Sequence, residues 1–332
     1  MFRSNSSPLS LVILSLLLVY SFSFVSKNVI SFKNSMKFQR MSMTSTPMDK
    51  NKMLHVVYRV GNLEKTIEFY KNVFGMELLR HRDIPEDKYT NAFLGYGTES
   101  EGKHFSIELT YNYGVDSYTL GDGFKGISLE LPNIRKASKK VEELGGEVTF
   151  GPEDIEYGPC MIPDEPITKK SIATVMKLKD PEGYGFEATE RVRRDPVSKV
   201  CLSVLNLDVS VAFYEKALGM KVLYKRSNVP REASMVVGLG YGDAEDSTIL
   251  ELYYAYTVEK IEMGDAYGQI AVSTADVYEA AKHVQEAGYN VTREPGPVPG
   301  IGTKVTALRD PDGFKIVLVD EEDFEKELAP GV

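Results

Sequence analysis

Four stretches of this chain occur twice, in the same order. "NLEKTIEFYKNVFGMELL" at residues 62–79 returns as "NLDVSVAFYEKALGMKVL" at 206–223, and "FLGYG" at 93 returns as "GLGYG" at 238. "IELTYNYG" at 107 returns as "LELYYAYT" at 250, and "LKDPEGYGFEATE" at 178 as "LRDPDGFKIVLVD" at 308. The offset is 144 for the first pair, 143 at residue 107 and 130 at residue 178. The chain is therefore a tandem duplication of a unit of roughly 130 residues, with about thirteen additional residues in the first copy after Phe150. Those residues include "EDIEYGPCMIPDEP", whose prolines predict a loop. The copies run over 53–191 and 196–324, joined by "RVRRDP" at 191–196. A chain of 332 residues is long enough to give each copy a sizeable core.

Each copy has a finer pattern. "MLHVVYRV" alternates and is rich in β-branched residues, which predicts a strand. Asn62 is placed to cap a helix carrying Leu63, Ile67, Tyr70 and Phe74 at helical spacing, and Gly75 to close it in the left-handed region. "MELLRHRD", "TNAFLGYG" and "HFSIELTYN" then read as strands. "GISLEL", a helix over "NIRKASKKVEELGG" and strands near 147 and 172 follow, ending on a DP-acid-Gly turn and "YGFEATE". Every half-copy is thus β-α-β-β-β, and the fold class is α+β with four βαβββ modules in all.

The two ends of the charge distribution differ. Arg3, Lys27, Lys33, Lys37 and Arg40, with no acid, give residues 1–48 a charge of +5; the whole chain is −9, so the remainder carries −14. An acidic body argues against nucleic acid or an anionic membrane as partner. The basic end reads as an address. "LSLVILSLLLVYSFSFV" has the length of a signal-peptide core and is short and Ser-broken for a span, which needs ~20 apolar residues. The Ser- and Lys/Arg-rich, acid-free stretch after it has transit-peptide composition. Together they predict bipartite delivery to a plastid, with simple secretion or a retained N-terminal anchor as alternatives. Cys160 and Cys201 are the only cysteines, so there is no disulfide framework.

Four βαβββ modules carrying these words resemble the vicinal-oxygen-chelate superfamily. "LHVVYRVGNLEKTIEFYKNVFGMELLRHRD", "KYTNAFLGYG", "IELTYNYGVDSY" and "DPEGYGFE" are similar to its two-domain, plant-type glyoxalase I members over about residues 53–324. The resemblance implies two tandem glyoxalase-like domains and a divalent metal, Ni²⁺ or Zn²⁺, held between paired modules by two His or Gln and two Glu. It implies lactoylglutathione lyase activity on the hemithioacetal of glutathione and methylglyoxal, with a metal-bound Glu moving a proton between adjacent carbons. The physical logic is that a metal stabilises the enediolate and a nearby carboxylate serves as base.

Carried over position by position, the resemblance pairs the first half of one copy with the second half of the other. One cleft then combines His55, Glu108 and Gln269 with Val317 where the fourth ligand belongs; Arg59 and Asn112 match glutathione-clamping positions. With Val317 in that place, Glu108 serves as both ligand and base. The other cleft combines Glu251 and Glu187 with Lys199 and Gly126 at the places of the neutral donors, and reads as degenerate. Lys199 is positioned to replace the metal with an internal cation paired to Glu251 or Glu187. Because each cleft lacks ligands, the competing expectation is a glyoxalase-like protein that binds metal or glutathione conjugates without turnover. An iron dioxygenase of the same superfamily favours two His and one carboxylate, and only one candidate His is present. Fusion of the copies supplies the inter-module interface within one chain, so the expected state is a monomer, with no membrane contact for the mature protein.

Overall fold

The computed structural model describes residues 48, 50–163, 167, 170–229 and 231–329. Apart from Met48, the targeting segment expected over 1–48 lies outside the described residues. Among the described residues no helix is long and apolar enough to cross a membrane.

The first copy runs β1 (Met53–Arg59), α1 (Leu63–Phe69), β2 (Glu77–Ile84), β3 (Tyr89–Gly95), β4 (Ser106–Asn112), β5 (Phe124–Leu131), α2 (Ile134–Glu143), β6 (Glu147–Tyr157), β7 (Cys160–Met161), β8 (Ser171–Lys179) and β9 (Gly185–Glu190). The second runs β10 (Val197–Ser203), α3 (Leu207–Leu218), β11 (Lys221–Ser227), β12 (Ser234–Gly240), β13 (Ile249–Ala255), β14 (Tyr267–Thr274), α4 (Val277–Glu286), β15 (Val291–Pro297), β16 (Lys304–Arg309), β17 (Lys315–Asp320) and α5 (Glu321–Leu328). The helix signals act as their chemistry requires. The Asn62 side chain accepts from the Lys65 amide at 3.0 Å, and Gly75 ends the segment at φ 77°. The last turn, Tyr70–Phe74, is wider than an α-turn and forms a π-helix.

The copies interlock. One sheet has eight strands in the order β15-β16-β17-β14-β1-β4-β3-β2; the other has nine, β6-β8-β9-β5-β10-β13-β12-β11-β7. Each sheet takes the first half of one copy and the second half of the other, joined by antiparallel pairing of β1 with β14 and of β10 with β5. The same bond ties the halves twice. The Tyr70 hydroxyl donates to Asp180 at 2.7 Å, and the Tyr214 hydroxyl to Asp310 at 2.8 Å. Each Asp also accepts amide hydrogens within its own DP-acid-Gly turn, which explains the repeated word. One apolar core containing Val56, Phe69, Tyr70, Phe186, Val200, Phe213 and Phe314 runs through both sheets and α1–α4. Each large side chain fully buried there contributes about 1.5–3 kcal/mol.

The insert of the first copy differs from expectation. Its first part is strand: β6 continues without a break through Tyr157 and pairs with β8 up to Ser171. Alternation of exposed and half-buried residues over "DIEY" outweighs the nearby prolines. Only Gly158 and Pro159 separate β6, one edge of its sheet, from β7, the other edge, which pairs with β11. The nine-stranded sheet therefore curls until its edges meet.

Candidate active site and its degenerate counterpart

Alternation along β1 sends Val56 and Tyr58 into the main core and turns His55 and Val57 to the opposite face. His55 stands between Ser106 of β4 and Ala271 of β14; Val57 stands between Glu108 and Gln269. Val317 of β17 is paired with Ala271. The eight-stranded sheet thus brings His55, Glu108, Gln269 and Val317 onto one face, which we call cleft A.

His55 and Glu108 are 6 % and 8 % exposed, and their Nε2 and Oε2 atoms are 3.3 Å apart. Asn91 of β3 donates its amide N–H to the other carboxylate oxygen of Glu108. Phe93 meets the imidazole edge-on at 5.6 Å. Burial pushes the Glu108 carboxyl up to about 7, against the opposing pull of Arg80. Burial, reinforced by Arg80, holds His55 down to about 3, so its imidazole is neutral across the ordinary pH range. Among the described residues, His55 Nδ1 and Asn91 Oδ1 are buried without a hydrogen-bond partner. A neutral imidazole, a carboxylate disfavoured as an anion and unpaired acceptor atoms share one deficiency, a cation. The donor chemistry of His55, Glu108 and the Gln269 amide fits a divalent metal. No group of three His, Cys, Asp or Glu able to hold a metal occurs among the described residues, so a third ligand from this face would be an amide oxygen.

Val317 does not leave a gap. With Leu54, Ala271, Val305, Ala307, Val319 and Phe324 it forms a second, smaller apolar cluster. Phe324 comes from α5, which starts directly after β17. Its first turn carries Glu321, Glu322 and Asp323, as the positive end of a helix favours, and the Asp320 side chain caps it. The Phe324 ring lies 6.3 Å from that of His55. Arg80 stacks on Phe93 at 3.6 Å and pairs with Glu99 of the neighbouring loop and Glu327 of α5. The last helix therefore covers the face that carries the metal-type donors. At the far end of β1 and β4, Arg59 donates to the Asp265 carbonyl at 2.6 Å and Asn112 to the Tyr118 hydroxyl at 2.8 Å.

In the nine-stranded sheet, β10, β13, β5 and β9 bring Lys199, Glu251, Gly126 and Glu187 together as cleft B. Lys199 Nζ is 3.2 Å from Glu251 Oε2, and Tyr224 donates its hydroxyl to the same carboxylate. Arg226 approaches Glu251 at 4.0 Å, and Glu187 pairs with Lys177 at 3.7 Å. Burial alone would raise the Glu251 carboxyl, but Lys199 and Arg226 outweigh it and hold it below the ordinary value. Burial alone would lower Lys199, but Glu251, Tyr224 and Glu187 together outweigh it and hold the ammonium well above its ordinary value. Of the two carboxylates, Lys199 is paired with Glu251. Gly126 has φ 112°, and a Cβ added to it would lie 1.8 Å from the Gly185 carbonyl oxygen. The backbone at Gly126 has no room for a side chain.

Asn91, Arg80 and the residues of α5 escaped the sequence reading. The repeat held a signal for Asn91, whose counterpart in "SMVVGLGYG" is Val236. A polar residue facing an apolar one across the duplication is the same contrast that Gln269 makes with Gly126.

A profile of the glyoxalase/bleomycin resistance protein/dioxygenase superfamily matches residues 52–188 and 197–318. The chain belongs to that superfamily. Among similar members, the probable chloroplastic lactoylglutathione lyase of Arabidopsis thaliana is 47% identical over 281 residues, covering 84% of this chain and 76% of that one. The crystal structure of glyoxalase I from Zea mays superposes with a TM-score of 0.74 at 44% identity, covering 84% of this chain and 95% of that one. The lactoylglutathione lyase of Escherichia coli O157:H7 is 41% identical over 139 residues, which are 92% of its length and 42% of this chain. That member of the superfamily is therefore about one copy long. In the present glyoxalase-superfamily chain the same length occurs twice.

Proposed function

We propose that this chain is a lactoylglutathione lyase that works at cleft A, isomerising the hemithioacetal of glutathione and methylglyoxal. The observation that carries the reading is the buried His55–Glu108 pair, with its unpaired imidazole nitrogen, on one face with Gln269. The names of the relatives supply the substrate class. His55, Glu108 and Gln269 would hold a divalent metal, Ni²⁺ or Zn²⁺, whose Lewis acidity offsets the negative charge developing on vicinal oxygens. Glu108 takes the proton from the carbon beside the carbonyl and returns it to the neighbouring carbon, a net isomerisation. Asn91 keeps the carboxylate oriented toward His55. Arg59 and Asn112, at the far end of β1 and β4, bind the glutathione moiety. The protein acts as a monomer in a plastid, reached through the basic leader.

A second reading, binding of metal or glutathione conjugates without turnover, is favoured by one observation: Val317 lies under Phe324 in an apolar cluster where a fourth ligand would stand. The assay is metal content and S-lactoylglutathione formation by the compact unit Ser45–Val332 with added Ni²⁺ or Zn²⁺, beside Glu108→Gln. Metal-dependent product that the variant fails to make supports the lyase. Metal and conjugate binding with no product leaves the binding protein, and binding of neither removes both readings.

A further inference from the structure

We propose that Arg80 and Arg82 form a carboxylate-binding subsite of cleft A, and that Glu327 of the terminal helix occupies it as an intramolecular competitor of the substrate. The inference rests on cleft A being the site for a glutathione adduct, and it adds a recognition element that neither the metal-type donors nor Arg59 supplies.

The site is built and filled. One oxygen of Glu327 accepts from Arg80 Nη1 and from Arg82 Nη2, each at 3.0 Å; the other accepts from the Thr303 hydroxyl at 2.8 Å. The Glu327 side chain is 12% exposed, against 17% for Arg80 and 31% for Arg82. Two guanidinium groups converging on one carboxylate oxygen form a strong, charge-assisted anion site. Its place in the sheet puts it beside the chemistry. Arg80 is paired with Phe93 and Phe93 with Glu108, so Arg80 stands level with the carboxylate proposed as base. Arg82 is paired with Asn91, the residue that holds Glu108.

The occupant is removable in a way the arginines are not. Arg80 keeps a second, two-pronged bond to Glu99, Nε at 2.7 Å and Nη2 at 3.0 Å, which fixes it on the sheet whether or not Glu327 is present. Glu327 sits on an eight-residue helix, too short to hold its shape alone. Phe324 and Leu328 pack on the smaller apolar cluster, and the rest of the helix's hold is polar, including Ser100 to Glu325 at 2.6 Å and Lys304 to Asp323 at 2.5 Å. Release of Glu327 would open the face above His55 and vacate a carboxylate site in one movement. A glutathione adduct carries two carboxylates. Arg59 accounts for one; the Arg80–Arg82 pair accounts for the other, and the adduct must displace Glu327 to reach it. The apparent affinity is then reduced by the fraction of molecules in which the helix is docked.

The test measures binding of S-hexylglutathione, an unreactive conjugate, to the unit Ser45–Val332 by calorimetry, for the native sequence, Glu327→Gln and Glu327→Gln with Arg82→Gln. Glu327→Gln is expected to bind about tenfold tighter, equal to roughly 1.4 kcal/mol, and Arg82→Gln to erase the gain. Equal or weaker binding by a folded Glu327→Gln overturns the proposal. A second measurement needs no variant: conjugate binding is expected to speed amide hydrogen exchange over Glu321–Leu328, and slowed or unchanged exchange there overturns it as well. If the native sequence binds no conjugate at all, the reading of cleft A fails and takes the subsite with it. If it binds and Glu327 proves indifferent, the present proposal is lost while the reading of cleft A stands.

Discussion

Replacing Glu108 with Gln should make the metal-free protein more stable above neutral pH while abolishing turnover. The side chain keeps its shape, its oxygen can still accept from Asn91 and its new N–H can donate to the neutral His55 ring. What disappears is a carboxylate that burial disfavours. Its rise from 4.5 to about 7 corresponds to about 3 kcal/mol of destabilisation once the group is ionised. A carboxyl whose affinity for protons is higher folded than unfolded contributes fully below its unfolded value, and the contribution is lost as pH rises through the folded one. Native and variant proteins should therefore be equally stable near pH 4.5 and diverge up to about pH 7. His55 titrates in the opposite sense, being held down to about 3, and so destabilises the fold as pH falls below 6.5. It is present in both proteins, and the difference between them cancels it. At about 2–4 °C per kcal/mol for a chain of this size, the melting temperature in chelator at pH 8 should rise by on the order of 6–12 °C. Parallel stability curves from pH 4.5 to 8, or a less stable variant at pH 8, would refute the desolvation argument.

Other outcomes follow from the two clefts. Asn91→Leu removes the donor that orients Glu108, and divalent-metal affinity measured by competition with a chelating dye should fall by about 10–100-fold. Lys199→Met leaves Glu251 buried with Arg226, Tyr224 and the Cys201 thiol; urea unfolding should show a loss of about 3 kcal/mol, and Lys199→Met with Glu251→Leu should recover most of it. Gly126→Gln replaces the missing cleft B donor on paper, yet it should lower stability by at least ~2 kcal/mol and bind no metal there, because φ is 112° and the Gly185 carbonyl fills the space.

The sequence carried the architecture well because duplication supplied its own control. Words such as "DPEG" and "DPDG" recur where a Tyr–Asp bond recurs, and the helix caps are local chemistry that Asn62 and Gly75 perform unaided. The insert was misread because "EDIEY" alternates like a strand beside prolines that speak for a loop, and pairing with β8 decided between them. In cleft A, the residues aligned by the repeat were legible. The cover was not: the tail "DEEDFEKEL" reads as a final helix, but it follows the last repeated word, so no second copy marked that helix as anything but solvated. Arg80, Arg82 and Glu327 acquire their meaning only from a fold that brings residues 245 or more apart in sequence into one ion cluster.

The interlocked sheets have a consequence for how such a molecule changes over generations. Two separate copies of one unit, assembled about a twofold axis, would display every substitution in both clefts at once. Here the donors of each cleft are encoded at four positions found nowhere in the other. Lys199 and Gly126 therefore stand in one cleft only, and a substitution at either leaves His55, Glu108 and Gln269 of the other as they are. A chain built this way can vary the donors of one cleft without imposing the same change on its twin.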